Sequence, residues 1–285
     1  MSIHQHNYAR YDGELKQGGA AWVIARTSLG VFWGMTRTKL VLLFLMLMPL
    51  ATLLLVYLEY QAMASSLADM LEGLGEPSPM PLRVFNQLQY FSLALLYTAS
   101  GCGVVSDDIR YRAIQLYFSK PLTRADYALG KYGALFGLGA LITVLPAAVI
   151  AVFRAALYTR LPYTWEVIGQ MGAGLVLTTA MTAIMALVVM GLSSVIPRTR
   201  YVVLAFIGVI IVPEIAGLIA GAINESEDIA NLFSVRGALW LITRVVLSDE
   251  ALDIPLIAPV FALTLFAVLG LGAVSWRVTK LEGIA

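Results

Sequence analysis

Few side chains in this chain of 285 residues are suited to catalysis. The two histidines, His4 and His6, lie in the polar N-terminal tail, so neither is placed to act as a base or a metal ligand in the apolar body of the chain. The HExxH pattern of zinc proteases and the GxSxG pattern of serine hydrolases are both missing from the sequence. We therefore expect no catalytic residue, no metal and no cofactor in this chain.

The pair Gly130-Lys131 resembles part of a nucleotide-binding loop but does not form one. A Walker A motif needs an earlier glycine and a Ser or Thr after the lysine, whereas here Tyr132 follows. We expect that the chain does not hydrolyse ATP by itself. With the single cysteine Cys102, an intramolecular disulfide is also impossible.

Glu214 is the one acidic side chain that stands out, because it follows Pro213 inside a long apolar run. An ionisable residue inside a membrane is a functional-site hypothesis by default. Two interpretations stay open. In one, Glu214 pairs with Arg236 or Arg244 of a later helix; in the other, it lies on a gate or a substrate path.

The composition predicts that these residues are positioned by membrane-spanning helices. Hydrophobic residues make up 59% of the chain and charged residues only 13%, whereas soluble domains carry about 25% charged residues. The net charge of +1 gives no signal for nucleic acid as a partner. We therefore predict an all-α membrane protein surrounded by a lipid bilayer.

Six apolar runs are long enough to cross a bilayer, which takes about 20 residues for a helix. We expect residues 1–19 to form a polar cytoplasmic tail and residues 20–285 to form a single transmembrane domain. The predicted spans cover residues 40–58, 87–105, 131–153, 167–196, 201–222 and 256–276.

The basic residues predict the orientation of the spans. One set of loops carries 14 Lys and Arg residues and the other set carries five. Because basic loops stay on the cytoplasmic side, both termini should lie in the cytoplasm, with the protein in the inner membrane.

Two further segments have an amphipathic pattern. Residues 20–38 place Trp22, Leu29 and Trp33 on one stripe with arginines beside it, which favours a helix at the inner membrane surface over a plain cytoplasmic helix. Residues 233–246 have an apolar face opposite a face with arginines and aromatic residues. We expect this second helix on the outer side before the last span, either dipping into the outer leaflet or packing on a partner subunit.

Two GxxxG pairs, Gly133/Gly137 and Gly217/Gly221, allow close approach of helices. This short pattern also arises often by chance. A role in dimer formation is therefore one interpretation of the two pairs, and ordinary packing is the other.

The loop between the second and third spans is the most informative stretch. It runs over residues 106–131 and is helical in pattern up to Phe118, after which Pro121 breaks the helix. Thr123 and Asp126 fit a capping box, so Thr123 should begin the next helix. The segment either presents a small helix to a cytoplasmic partner or is an ordinary basic loop.

This loop resembles a known family. The run SKPLTR at residues 119–124, followed by Tyr127 and Gly130-Lys131, is similar to the SKP-(V/L)-(S/T)-R…Y…GK stretch of ABC-2 type permeases, the membrane subunits of ATP-binding-cassette exporters. The sub-group it most resembles is the permeases encoded with nitrous-oxide-reductase maturation systems and with gliding-type transporters. Asp107 and Asp108 stand for an acid that the family often has early in this loop, and Arg112-Ala113 stands where the family has Gly-Thr.

The resemblance implies a homodimer that works by alternating access with two separate cytoplasmic ATPase subunits, which would hold ATP and Mg²⁺. It leaves room for a periplasmic accessory protein. It also implies that the loop couples the spans to the ATPase through the following residues: Asp107, Asp108, Tyr117, Phe118, Pro121, Leu122 and Arg124.

Two other classes of function stay open. A secondary transporter usually has inverted repeats and interrupted helices, and no convincing internal repeat is visible here. A membrane scaffold or assembly factor without transport is the second alternative. The substrate cannot be read from the sequence, because the outer loops are short and the spans hold few polar groups.

Overall fold

The computed structural model describes residues 19–64, 80–113, 122–158, 164–248 and 251–282. All regular structure in these five ranges is helical, which confirms the all-α fold class. Five of the helical segments are long and apolar enough to cross a bilayer, and a sixth is added if one bent pair of helices counts as a single span.

The chain begins with α1 (Ala20–Gly34), followed by α2 (Thr36–Leu45) and α3 (Leu47–Ala64). Helices α2 and α3 together form the first candidate span, Thr36–Gln61. A turn at Met46 separates them, because the ring of Pro49 clashes with the carbonyl group four residues earlier.

The second candidate span is interrupted near one end. Helix α4 (Met80–Leu96) continues into a π-helical turn (Tyr97–Gly101), and a non-helical turn separates that from the short α5 (Ser106–Arg110). Single π-helical turns inside helices are often found at functional sites.

The predicted third span is bent rather than straight. It consists of α6 (Arg124–Ala140) and α7 (Val144–Tyr158), which meet at an angle of 42°. Pro146 lies in the first turn of α7, so its ring meets the carbonyl group of Ile142 in the break and prevents a continuous helix.

The second half of the chain contains the longest helices. They are α8 (Thr164–Val195), α9 (Thr199–Asn224), the short α10 (Glu227–Leu232), α11 (Val235–Ser248) and α12 (Ile257–Glu282). Helix α8 ends just before Pro197, as the sequence predicts.

Helix α8 is the centre of the bundle. It packs against α6, α7, α11 and α12, and the largest core cluster gathers around its inner half. By contrast, α9 and α12 expose large apolar side chains such as Leu204 and Val268, which are 65% and 57% exposed. Such long apolar faces are stable against lipid and not against water, so the chain is a multi-pass membrane protein.

The two GxxxG pairs are used inside the chain. Gly133 and Gly137 face Ala25 and Leu29 of α1, and Gly217 and Gly221 face Ala230 of α10. A side chain at Gly217 would meet the carbonyl oxygen of Ala230. Both pairs therefore pack helices of one chain together.

Helix α1 packs along α6 with one face and leaves the other exposed. Ile24 and Phe32 are buried, while Trp22 and Trp33 are 68% and 56% exposed. The structure has a helix over Ala20–Gly34, and the position of this segment at a membrane surface stays a prediction. Helix α11, the predicted amphipathic helix, packs against α4, α8 and α12 of its own chain.

Candidate functional site

The two acids at the start of the predicted coupling loop point into the protein. The Thr199 hydroxyl donates to Asp107 Oδ1 at 2.6 Å. Lys131 Nζ lies 2.6 Å from Asp108 Oδ2, and the Tyr127 hydroxyl donates to the same oxygen at 2.8 Å. These contacts fasten the end of the second span to the beginning of α6 and α9.

The Asp108–Lys131 ion pair is largely shielded from water. The exposed fractions of the two side chains are 17% and 6%. Tyr127 is buried beside them, with its ring 5.7 Å from Lys131 Nζ. Tyr127 and Lys131 both belong to the sequence motif, so two of its members have a structural role here that spacing alone did not indicate.

Ser193 of α8 forms hydrogen bonds with the backbone where the second span is interrupted. Its Oγ accepts hydrogen bonds from the backbone N–H groups of Val105 and Ser106, both at 3.0 Å, and donates to the carbonyl oxygen of Cys102 at 2.9 Å. This hydroxyl thus satisfies backbone groups that the break in the helix leaves without helical partners. No sequence signal identified Ser193, because an isolated serine near the end of a span is common.

The chain turns sharply at Arg112, which has a φ of 58°. This left-handed conformation is costly for a residue with a Cβ and easy for glycine. Helix α5 therefore ends at Arg110, a turn follows at Tyr111 and Arg112, and Ala113 is helical again. The rest of the predicted helix up to Phe118 lies outside the described residues. Arg112 is the position at which glycine is expected from the resemblance to ABC-2 type permeases.

The other half of the loop begins α6 as predicted. Thr123 Oγ1 accepts from the Asp126 N–H at 3.1 Å, and Asp126 Oδ2 accepts from the Thr123 N–H at 3.2 Å, so the capping box is confirmed. Leu122 is half-buried and Arg124 is exposed at the first helical position. The three remaining predicted coupling residues lie outside the described ranges: Tyr117, Phe118 and Pro121.

At the other end of the bundle, Glu214 pairs with Arg236 of α11. The guanidinium donates to both carboxylate oxygens, with Nε–Oε1 at 2.8 Å and Nη2–Oε2 at 2.7 Å, and Nη1 donates to Gln87 Oε1 at 3.0 Å. The hydrogen bonds to Glu214 raise the pKa of Arg236. The predicted pairing of Glu214 is therefore confirmed with Arg236, while Arg244 pairs with Asp228 at 2.7 Å.

A small polar cavity adjoins this pair between α4, α8 and α11. Its volume is about 20 Å³, enough for about one water molecule. Arg83 lies 5.8 Å from the Trp240 ring in its wall, and Asn86 accepts a hydrogen bond from Thr178 at 2.7 Å. The arrangement can hold polar groups in the bundle interior, and a larger molecule would need the helices to separate.

Sequence reasoning also missed the ion pair between Arg154 of α7 and Glu59 of α3. The two side chains approach to 3.4 Å, and Arg154 is completely buried. Each residue lies near the end of a span, where a charged group could equally have faced water. Only the packing of the first span against the third shows that the charges meet.

Within the described ranges, no group of three or more histidine, cysteine and acidic residues is suited to hold a metal ion. The contacts of Asp107, Asp108, Arg154 and Glu214 are ion pairs and hydrogen bonds between helices. They can fix the helices relative to one another.

Comparison with known proteins does not assign the chain to a family. No protein-family model matches it, and no curated protein matches it. What the fold and the site define is a multi-pass helical membrane protein whose spans are tied together by ion pairs at both ends.

Proposed function

We propose that this chain is the membrane permease subunit of an ATP-binding-cassette exporter of the ABC-2 type. It works as a homodimer with separate cytoplasmic ATPase subunits and exports its cargo by alternating access. Six spans, with the bent pair α6–α7 counted as one, and cytoplasmic termini are part of this proposal. The inner membrane is its location.

The observation that carries the proposal is the run SKPLTR…Y…GK between the second and third spans. Two structural features support it. The members Tyr127 and Lys131 both hold Asp108, so the motif has a physical reason to occur as a unit. Arg112 adopts the left-handed backbone conformation at the position where the family has glycine.

The proposed coupling segment has a rigid frame. Asp107 and Asp108 fasten its first end to α9 and α6, and the capping box of Thr123 fixes its second end. A force applied by a partner to the segment between these anchors would reach three spans directly. We assign Tyr117, Phe118, Pro121, Leu122 and Arg124 to the contact with the ATPase.

The state of Glu214 weighs against a secondary transporter. An ion-coupled carrier needs a carboxylate that can bind and release a cation, whereas both oxygens of Glu214 accept hydrogen bonds from Arg236. The pair is better suited to hold α9 and α11 together than to exchange ions.

Substitutions in the coupling segment test the proposal. Arg124→Glu and Phe118→Ala should abolish co-purification of the ATPase and transport, while membrane insertion and dimer formation persist. Glu227→Lys, an exposed charge reversal at the opposite end of the bundle, is the matched control and should keep both. Normal ATPase binding and transport by both loop variants would refute the coupling assignment.

A further inference from the structure

A wide cleft opens at the end of the bundle where α5 meets the loop between α8 and α9. Its volume is about 610 Å³. Half of its six lining residues are arginines. The complete lining, which we name the arginine cleft, consists of Ile109, Arg110, Pro197, Arg198, Thr199 and Arg200.

The charge of the arginine cleft is not balanced by acids. Arg110 and Arg200 lie over the rings of Tyr111 and Tyr201, at 5.3 and 4.9 Å. Across the described ranges, none of the three arginines forms an ion pair with a carboxylate. Asp107 adds one negative charge at the border, through its hydrogen bond from Thr199, so three positive charges face one negative charge.

The arginine cleft adjoins a membrane-facing surface. Helix α9 begins at Thr199 and runs for 26 residues, about 39 Å at 1.5 Å per residue, so its first turn lies at the boundary of the bilayer. Tyr201, Leu204 and Ile211 are 46%, 65% and 49% exposed along it. A positively charged cleft thus continues directly into an apolar helix face.

We propose that the arginine cleft binds the phosphate headgroup of an anionic phospholipid from the adjoining leaflet, with the acyl chains along α9. Arginine suits a phosphate because its planar guanidinium donates two parallel hydrogen bonds. The side chain of Arg198, the N-cap residue of α9, makes no capping hydrogen bond. The Tyr201 N–H already donates to the Arg198 carbonyl oxygen, so the N–H groups of Thr199 and Arg200 are the ones that can add to the donors. A soluble anion or an acidic protein segment would use the arginines but not the apolar face beside them.

Binding of short-chain lipids to the purified full-length chain tests this site. The thermal unfolding of the wild type is followed in detergent with dioctanoyl phosphatidylglycerol, dioctanoyl phosphatidylcholine or inorganic phosphate. The variants are Arg198→Gln/Arg200→Gln, the charge-keeping Arg198→Lys/Arg200→Lys, and Arg26→Gln in the exposed face of α1 as the control. Phosphatidylglycerol should stabilise the wild type, and its apparent affinity should fall roughly 25-fold in the double glutamine variant, about fivefold for each arginine.

The double lysine variant should keep part of this response, because lysine keeps the charge but not the paired hydrogen bonds of the guanidinium. The Arg26→Gln control should keep all of it. If the double glutamine variant does not fold, Arg110→Gln carries the test with an expected fivefold loss. An unchanged response in the glutamine variants would overturn the proposal. Equal stabilisation by phosphatidylcholine would do the same, and equal stabilisation by inorganic phosphate would assign the cleft to a soluble anion instead.

Discussion

Single side chains in this protein act mainly by joining elements that are distant in sequence. Asp108 meets Lys131 across the predicted coupling loop, and Arg236 meets both Glu214 and Gln87. The candidate residues could be picked out from the sequence because charged groups beside apolar runs are rare. Their partners could mostly not be identified, because nothing local distinguishes Thr199, which lies 92 residues after Asp107.

The strained backbone at Arg112 predicts a stabilising substitution. Arg112→Gly should raise the free energy of unfolding by about 1 kcal/mol, because glycine adopts the φ of 58° without the Cβ clash. The matched control, Arg26→Gly inside the helix α1, should lower it by about 1 kcal/mol. Thermal unfolding in detergent measures both changes, and a lower melting temperature for Arg112→Gly would contradict the strain.

Substitutions in the Glu214–Arg236 pair can show whether Glu214 only holds helices together or lies on a gate or substrate path. Glu214→Gln should destabilise the protein by about 2 kcal/mol, since the hydrogen bonds to a charged group are lost at a site that is partly exposed. The swapped variant Glu214→Arg/Arg236→Glu should regain much of that stability. If the pair only holds helices together, the swap also restores transport; stability restored without transport would place Glu214 on a gate or substrate path.

At the scale of elements, the long apolar runs in the sequence were enough to locate the long apolar helices. The predictions for residues 167–196, 201–222 and 256–276 each coincide with one long helix. Hydropathy could not reveal the bend at residues 141–143 or the break after Gly101, because a broken helix keeps the same apolar composition. It also could not show that α11 packs within its own chain, since an amphipathic face does not identify its neighbour.

The close contact between α1 and α6 depends on Gly130 of the sequence motif. A Cβ at this position would lie 2.7 Å from the Ile24 Cβ and 2.8 Å from the Ala21 carbonyl oxygen, so backbone must move. Gly130→Ala should therefore destabilise the protein by about 1–3 kcal/mol. Gly172→Ala in α8, where a Cβ meets open space, should instead be neutral or stabilise by up to about 1 kcal/mol. Equal effects of the two substitutions on the melting temperature would show that α1 is not held by this contact.

At the scale of the whole molecule, the proposed orientation depends on the arrangement of charge and apolar surface. Three arginines line the arginine cleft, and Lys131 pairs with Asp108 next to it. The apolar faces of α9 and α12 define the lipid-facing surface between the two ends. The proposed dimer would bury part of these faces.

The predicted topology can be measured by labelling single cysteines in intact cells. Cysteines placed at Ser2 and at Glu227 should react from opposite sides of the membrane, because the proposed orientation puts both termini in the cytoplasm and α10 on the outer side. Cys102 is buried and should contribute little background. Labelling of both positions from the same side would exclude the proposed orientation.

The central claim is that a separate ATPase drives this chain. Purifying the chain with its bound partners and measuring ATP hydrolysis tests this claim most directly. The tagged full-length chain is extracted from the membranes of its native host, purified, and assayed for Mg²⁺-dependent ATP hydrolysis before and after dissociation of bound partners. We predict that the complex hydrolyses ATP, that a second chain with Walker motifs is present, and that the isolated chain has no activity. Hydrolysis by the isolated chain, or a transport-competent preparation that contains no ATPase subunit, would contradict the account.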